Sequence, residues 1–570
     1  MNLAPESPAG DTLIACLRHW ATVKADDPAL TFADFSGDRG GRRRTPTWRE
    51  LARRVDAAAG ALPVRPGDRV AVLCPQGIDY VVGFLAAIAA GAIAVPLFAP
   101  GLPGRAGRLT AMLADCAPAA VVTTSAARAA VEELLGAGVE VVAVDRVDAV
   151  RTRPAPEAKA SDVAYLQYTC GSTRSPAGVV LTHANVLANV RQATRGLGLD
   201  PQEATTVSWL PLFHEMGLVL GLITPLVLGL RSVLMHPLAF IERPIRWLEL
   251  LGDRPGAWTA APNFAFRYCA SRVREADRAR LRLGGVAGII NGAEPINPDF
   301  LDRFHTAFAV AGYRPRQTRP SYGLAEATVF VTTADAAPRV TTFDRDALGE
   351  GVAVEAGDGV RLVACGAPAG QHVALVDPDT AVALPDGAVG EIWVHGPNVG
   401  DGYWQQPIDS TETFGARLTG DHPGLPTGPW LRTGDLGVRH DGALYIAGRL
   451  KDLVIVDGRN HYPQDVEATV AGANQAIRPG SVAAFAVDAA DTEGAVVVAE
   501  HRGHAELSEQ SERDLTATVR RLVAAAHGLA LRDVVLVPQG QVPRTSSGKI
   551  ARSACRDRYL AHAYGKALVR

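Results

Sequence analysis

Between residues 68 and 145 short β-branched runs, DRVAVLC, AIAVPLF, AAVVTTS and VEVVAVD, alternate with stretches of helical character. Runs that are apolar along their whole length cannot lie in a sheet with one wet face. Joined by helices, they require a mostly parallel sheet covered on both sides. The alternation resumes from AYLQYT at 164 through GVVLT, VSWLPL and SVLMH to GVAGIIN at 285, so a large α/β region is expected. The full chain of 570 residues exceeds the roughly 250 to 300 at which a single core stops growing. At about 150 residues per domain, three or four compact units are expected.

The texture changes between about 336 and 447, where short runs such as HVALV and GEIWVHG are split by DP, PDG and HDG reversals. A small β-rich subdomain fits there. After GRLKD at 448 the chain mixes strands (SVAAFAV, GAVVVAE) with a long amphipathic stretch, SEQSERDLTATVRRLVAAAHG. The expected organisation is therefore a large N-terminal domain over 1–447, a hinge at 448–452 and a small α+β C-terminal domain over 453–570. There is no repeat of 20 to 50 residues and no low-complexity tract.

The 57 basic and 60 acidic side chains leave a formal charge of −3, which offers no electrostatic footprint for duplex nucleic acid. Only five of the basic residues are lysines (Lys24, Lys159, Lys451, Lys549 and Lys566), against 52 arginines, so each lysine carries information. Seven cysteines with no pair closer than 42 residues show neither zinc spacing nor a disulfide framework, and a cytoplasmic protein is expected. The N-terminus lacks a basic segment followed by an apolar run, so no secretory signal is expected. Residues 80 to 99 carry no charge over about the length that spans a bilayer, but Gly91 and Pro96 divide them into a short helix and a β-type run. A buried helix–strand unit is expected, with no transmembrane segment. The Arg-rich GDRGGRRRTPTW at 37 to 48 is read as an exposed hairpin tip.

Residues 168 to 178, YTCGSTRSPAG, follow a strand and lead towards a helix beginning near His183. Glycines and small hydroxyl side chains let backbone amides turn towards an anion, so Thr169, Gly171, Ser172 and Thr173 are candidate phosphate contacts. No Gly-Lys-Ser/Thr follows, so this is not a Walker loop. Six further stretches follow in order: WLPLFHEMGL at 209, NGAEPI at 291, SYGLAEAT at 321, LRTGDLG at 431, GRLKDLVIVDGRNHYPQDVE at 448 and PRTSSGKIAR at 543.

Their order and spacing resemble the adenylate-forming enzyme superfamily, which includes acyl-CoA synthetases, adenylation domains of peptide synthetases and luciferases, over nearly the whole chain. Arg174 and Ala177 in the phosphate loop, with FHEMG, SYGLAEAT and DGRNHYPQDVE, resemble the fatty acyl-AMP ligase branch. That resemblance implies ATP-dependent activation of a fatty acid to an acyl-adenylate. Transfer to the phosphopantetheine thiol of an acyl carrier protein in trans follows, since no carrier domain succeeds the lysine loop.

The resemblance also implies site roles. Lys549 is the principal cation, bridging carboxylate, phosphate and ribose oxygens. Asp435 accepts from the ribose hydroxyls and Arg449 steadies the ribose or the phosphate, while Lys451 is the hinge. Ser321, Tyr322 and Gly323, with Gly292, Ala293 and Glu294, bind the adenine. Glu326 holds Mg2+. His214 marks the junction of acyl tunnel and adenylate and positions rather than transfers a proton. Glu215 and Cys170 depart from the family's usual Asp and small hydroxyl. Residues 339–366 are the candidate for a ligase-specific insertion that restrains domain rotation. An acyl-CoA or aryl-acid-CoA synthetase, and a nucleotide-binding pseudoenzyme, stand as alternatives.

Overall fold

The apolar runs form two mostly parallel sheets. The structure, a computed structural model, describes residues 10–102, 105–136, 138–147, 157–169, 176–456, 459–489, 492–503, 507–545 and 549–564. In the first sheet the order is Glu140–Ala143, Ala120–Thr123, Arg69–Val72, Ile93–Pro96, Val163–Tyr168 and Gly178–Thr182. The first five are parallel. Gly178–Thr182 is the antiparallel member of this mostly parallel sheet and pairs with Val163–Tyr168. The few residues between these strands are too short for a parallel crossover, which takes a dozen or more.

The uncharged stretch after residue 80 forms the helix Ile78–Ala89 and the strand Ile93–Pro96, with Gly91 at φ +77° between them. Along that helix every side chain except Asp79 is buried. Val81, Val82 and Ile88 each cost up to about 0.7 kcal/mol in helix propensity. Burying each returns roughly 1.5–3 kcal/mol, so tertiary packing decides the conformation. Gly83 lets the helix lie close on the sheet, since a Cβ there would sit 3.0 Å from Val122. No helix among the described residues is long and apolar enough to cross a membrane.

The second sheet has nine strands, of which Thr318–Tyr322, Gly288–Gly292, Ala257–Pro262, Thr205–Ser208, Arg231–Met235 and Leu30–Asp34 are neighbours in that order and run parallel. The Arg-rich run supplies an antiparallel edge strand, Arg42–Arg44, whose three side chains are exposed and charge a sheet edge that would otherwise invite pairing.

Downstream lies a four-stranded antiparallel sheet of His372–Val376, Val389–His395, Leu431–His440 and Ala443–Arg449. Within 339–366, Val340–Phe343 pairs with Val360–Val363 around the short helix Arg345–Gly349. The C-terminal part builds a core of its own, including Val466, Val470, Val497, Val519 and Val523. Its three strands, Ile477–Ala489, Thr492–His501 and Leu531–Val537, pack with the helices Pro463–Ala473, Glu509–His527 and Arg552–Leu560. Arg552 donates to both oxygens of Glu467 and to Asp452, both largely buried, which fixes the start of this part against the end of the chain.

Candidate active site

Ligands of parallel α/β sheets bind beyond the carboxyl ends of the strands. Here the neighbouring strands Gly288–Gly292 and Thr318–Tyr322 end side by side. A Cβ at Gly292 would lie 2.7 Å from the Ser321 carbonyl oxygen and one at Gly323 only 1.7 Å from that of Val329, so both positions demand glycine. Ala293 takes a left-handed φ of +68°, which turns the chain sharply at the strand end. An open cleft is lined there by Gly292, Ala293, Ser321 and Tyr322, and on its apolar side by Met216, Leu220 and Phe330.

Tyr322 is buried and donates its hydroxyl to Asp435 Oδ2 at 2.8 Å; burial, more than the nearby carboxylate, drives its acidity down. Register puts Asp435 opposite Arg449, whose Nε donates to Asp435 Oδ1 at 2.9 Å. Asp435, foremost, raises the Arg449 guanidinium above its usual range. Each carboxylate oxygen keeps one acceptor site, the geometry two vicinal hydroxyls need. The buried Glu391 accepts from the Gly434 amide at 3.0 Å and from Arg432 at 3.0 Å, holding the turn that presents Asp435. Glu391 lies in GEIWVHG, which sequence reading took only as a strand.

Glu326 lies in the single turn Ala325–Ala327 and accepts from the Tyr403 hydroxyl at 2.9 Å. Burial, foremost, pushes its carboxyl up, and the negative field of Glu215 adds to the push. A half-buried carboxylate with a second one close enough to act on it is a fitting donor for a hard divalent cation, which binds through one or two carboxylates beside phosphates. Tyr403 had no motif to single it out.

His214 is buried, with Nδ1 3.1 Å from Glu215 Oε2 and 3.4 Å from the Met216 amide. Residues Met216–Ile223 then wind as a π-helix, a rare wide turn that is frequent at functional sites. The amide of Thr169 donates to Ala177 O at 3.2 Å and its carbonyl accepts from Arg108 Nη2 at 2.6 Å, a tether the sequence did not reveal. Gly171, Ser172 and Thr173, with Cys170 and Arg174, lie outside the described residues.

Glu294 points its carboxylate at the Phe264 amide, 2.7 Å away, and so joins the Gly292–Ala293 turn to the helix Asn263–Arg272. Burial holds its carboxyl above the ordinary carboxylate range, against the Phe264 amide and then Lys549, Arg544 and Arg267, which favour the ionised form. Lys549 therefore stands within electrostatic reach of Glu294, at the end of the Gly292–Ala293 turn. Its loop closes on itself, Thr545 N–H donating to Lys549 O at 2.8 Å and Lys549 N–H to Thr545 Oγ1 at 3.2 Å. Lys451 sits in the one-turn segment Leu450–Asp452 directly after the strand that carries Arg449.

The model of the AMP-binding enzyme family matches residues 17–404, and that of the Disco-interacting protein 2-like AMP domain matches 451–567. The long-chain-fatty-acid–AMP ligase FadD26 of Mycobacterium marinum is 44% identical over 96% of this chain and 97% of its own. The putative fatty-acid–CoA ligase FadD21 of Mycobacterium tuberculosis is 42% identical over 96% and 98%. A structure of the fatty acyl-adenylate ligase from L. pneumophila with acyl adenylate and pyrophosphate superposes with a TM-score of 0.75 at 30% identity, covering 98% of each chain. Another, from work on such ligases of E. coli and L. pneumophila, gives 0.84 at 31% identity, covering 98% and 99%. The chain belongs to the AMP-binding, adenylate-forming enzymes, and within them to the fatty acyl-AMP ligases.

Proposed function

We propose that the protein condenses a fatty acid with ATP to an acyl-adenylate and pyrophosphate, then transfers the acyl group to the phosphopantetheine thiol of a separate acyl carrier protein. The observation that carries this reading is the cleft in which Tyr322, bonded to Asp435, and the Gly292–Ala293 turn stand opposite the apolar wall of Met216, Leu220 and Phe330. Such a site accommodates a nucleotide at one end and an alkyl chain at the other.

An aliphatic carboxylate is already ionised near pH 7, so the reaction needs no strong general base. A carboxylate oxygen forms a bond to the α-phosphorus as the bond to the pyrophosphate oxygen breaks. The obstacle is bringing an anion to a polyanion, and positioned charge removes it. Lys549 neutralises the oxygens around the reacting phosphorus. Tyr322 and the Gly292–Ala293 turn hold the adenine, Asp435 and Arg449 the ribose, and His214 positions the carboxylate. Glu326 would hold Mg2+, which when bound screens the phosphate charge. Lys451 is the hinge for the second half-reaction. ATP, the free-thiol state of six buried cysteines and a thiol acceptor suit a cytoplasmic setting.

Carrier rather than coenzyme A is favoured by the ties of the 339–366 segment. Arg345 clasps Asp465 of the C-terminal part at 2.6 and 3.3 Å and reaches the Ala526 carbonyl at 3.2 Å, while Tyr462 Oη donates to Leu348 O at 3.2 Å. On the other side Arg361 binds Asp299 at 2.7 Å. These contacts resist the rotation needed for thioester formation with a freely diffusing acceptor.

Intact-mass analysis of a holo-carrier after incubation with ATP and graded fatty acids should show acyl-carrier. Efficient acyl-CoA formation with free CoA instead would favour the second reading, to which the FadD21 name belongs. Releasing the clasp with Arg345→Ala should raise residual CoA thioester formation about tenfold, the worth of one charge-assisted contact. Adenylate formation, followed as pyrophosphate release, should stay unchanged. An unaltered CoA rate would remove the restraint from the argument.

A further inference from the structure

Past Ser208 the second sheet opens. Its strand Thr205–Ser208 pairs with Arg231–Met235 as far as Ser208 opposite Leu234, and the chain then bends through residues 209–213 to His214. Backbone groups that leave a ladder inside a protein need other partners. The Leu210 amide donates to Ser208 Oγ at 3.2 Å and the His214 amide to Pro211 O at 3.2 Å. The Leu210 carbonyl, the Leu212 amide and the Met235 carbonyl are all met by one side chain, that of Gln76.

Gln76 comes from the first sheet. It follows the strand Arg69–Val72 and stands two residues before the helix Ile78–Ala89, whose buried side chains anchor it. Its Nε2 donates to Leu210 O at 3.1 Å and to Met235 O at 2.9 Å, and its Oε1 accepts from the Leu212 amide at 3.1 Å. A primary amide has two N–H donors and a carbonyl, so it stands in for the peptide group of a neighbouring strand. Here it is wedged between two parallel strands where their own ladder stops. A second amide from the first sheet, the buried Gln167 in Val163–Tyr168, donates to Phe213 O at 3.1 Å. The bend has no slack, since a Cβ at Gly217 would lie 2.1 Å from Pro211 O.

We propose that Gln76 is a positioning residue for adenylation: its side-chain amide, aided by Gln167 on Phe213, fixes the bend at 210–213 and so sets where His214 stands. This role rests on the one given to His214 above. Misplacing a group at a reacting centre by 1 Å costs about 10²-fold in rate. Leu210 and Leu212 are buried, so water replaces a lost amide poorly there. The bend leads through His214 into the π-helix that bears Met216 and Leu220. Its displacement is therefore felt by the fatty acid, while the adenine end, held by Tyr322 and the Gly292–Ala293 turn, is spared.

The test compares the full chain with Gln76→Met, which keeps an unbranched side chain of similar length and removes the amide. Adenylate formation is followed as pyrophosphate release well below the melting transition, with fatty acid and ATP varied in turn. Gln76→Met should lower kcat/KM for fatty acid about tenfold and leave KM for ATP unchanged. Gln76→Glu, which sets an oxygen against two carbonyls, should lose more. In a His214→Ala background Gln76→Met should cost less than about twofold, because a residue that acts through another has no effect once that one is gone. A tenfold loss in both backgrounds, an equal rise in KM for ATP and for fatty acid, or parental kinetics in Gln76→Met each overturn the proposal. Should Gln76→Met not fold, Gln167→Met, read the same way, decides. Parental fatty-acid kinetics in His214→Ala mark the failure of the His214 reading, and the proposal falls with it. An impaired His214→Ala beside a parental Gln76→Met marks the failure of the positioning role alone.

Discussion

Lys549→Ala is expected to lower acyl-adenylate formation by about 10²–10³-fold, the range seen when one positioned donor is removed from a developing charge. That corresponds to about 3–4 kcal/mol of barrier. The lysine stands close enough to the cleft for its charge to act on Glu294, and its loop is closed by the backbone bond from Thr545 to its carbonyl, which an alanine retains. Melting behaviour should therefore stay within the small range typical of surface substitutions, about 0.5 kcal/mol. Pyrophosphate release at saturating fatty acid and ATP measures the effect. Adenylate made at the parental rate by folded Lys549→Ala protein would place the catalytic charge elsewhere.

Asp435→Ala is expected to raise KM for ATP about 10²-fold and to lower kcat/KM by 10²–10⁴-fold. Hydrogen bonds to a charged acceptor are worth about 1.5–3 kcal/mol each, and the carboxylate offers one remaining site on each oxygen. Two structural partners are also lost. Arg449 is half-exposed, with its side chain 52% accessible, so water replaces its contact at a cost of about 1 kcal/mol or less. Tyr322 is buried, and its hydroxyl would forfeit the Asp435 oxygen at about 1–3 kcal/mol. The expected signature is a modest fall in melting temperature with a much larger loss of nucleotide use. Asp435→Asn keeps one acceptor oxygen and should lie between. Nucleotide titration by calorimetry separates binding from stability, and unchanged ATP affinity in Asp435→Ala would remove Asp435 from the ribose site.

Much of this architecture was legible in the linear chain. Continuous apolar runs such as AIAVPLF and GVAGIIN dictate strands buried on both faces, because no half-wet sheet tolerates them. Gly91 and Pro96 were enough to separate a helix from a strand within an uncharged stretch. In a chain with 52 arginines, five lysines narrowed the search for a compact mobile cation. The mostly parallel reading held for the first sheet, and its antiparallel member, GVVLT, follows from the length of the connection before it rather than from composition.

Partnerships between distant residues were decided only by the folded chain. Tyr322 meets Asp435 across 113 positions, Tyr403 meets Glu326 across 77, and Arg345 meets Asp465 across 120. Neither periodicity nor propensity encodes such pairs, since each records only the local conformation of a segment. Sheet register brought Arg449 opposite Asp435. The sequence thus determined which chemical groups were available and on what kind of element. Tertiary packing determined which of them share a desolvated space, where Coulomb and hydrogen-bond energies become large enough to act.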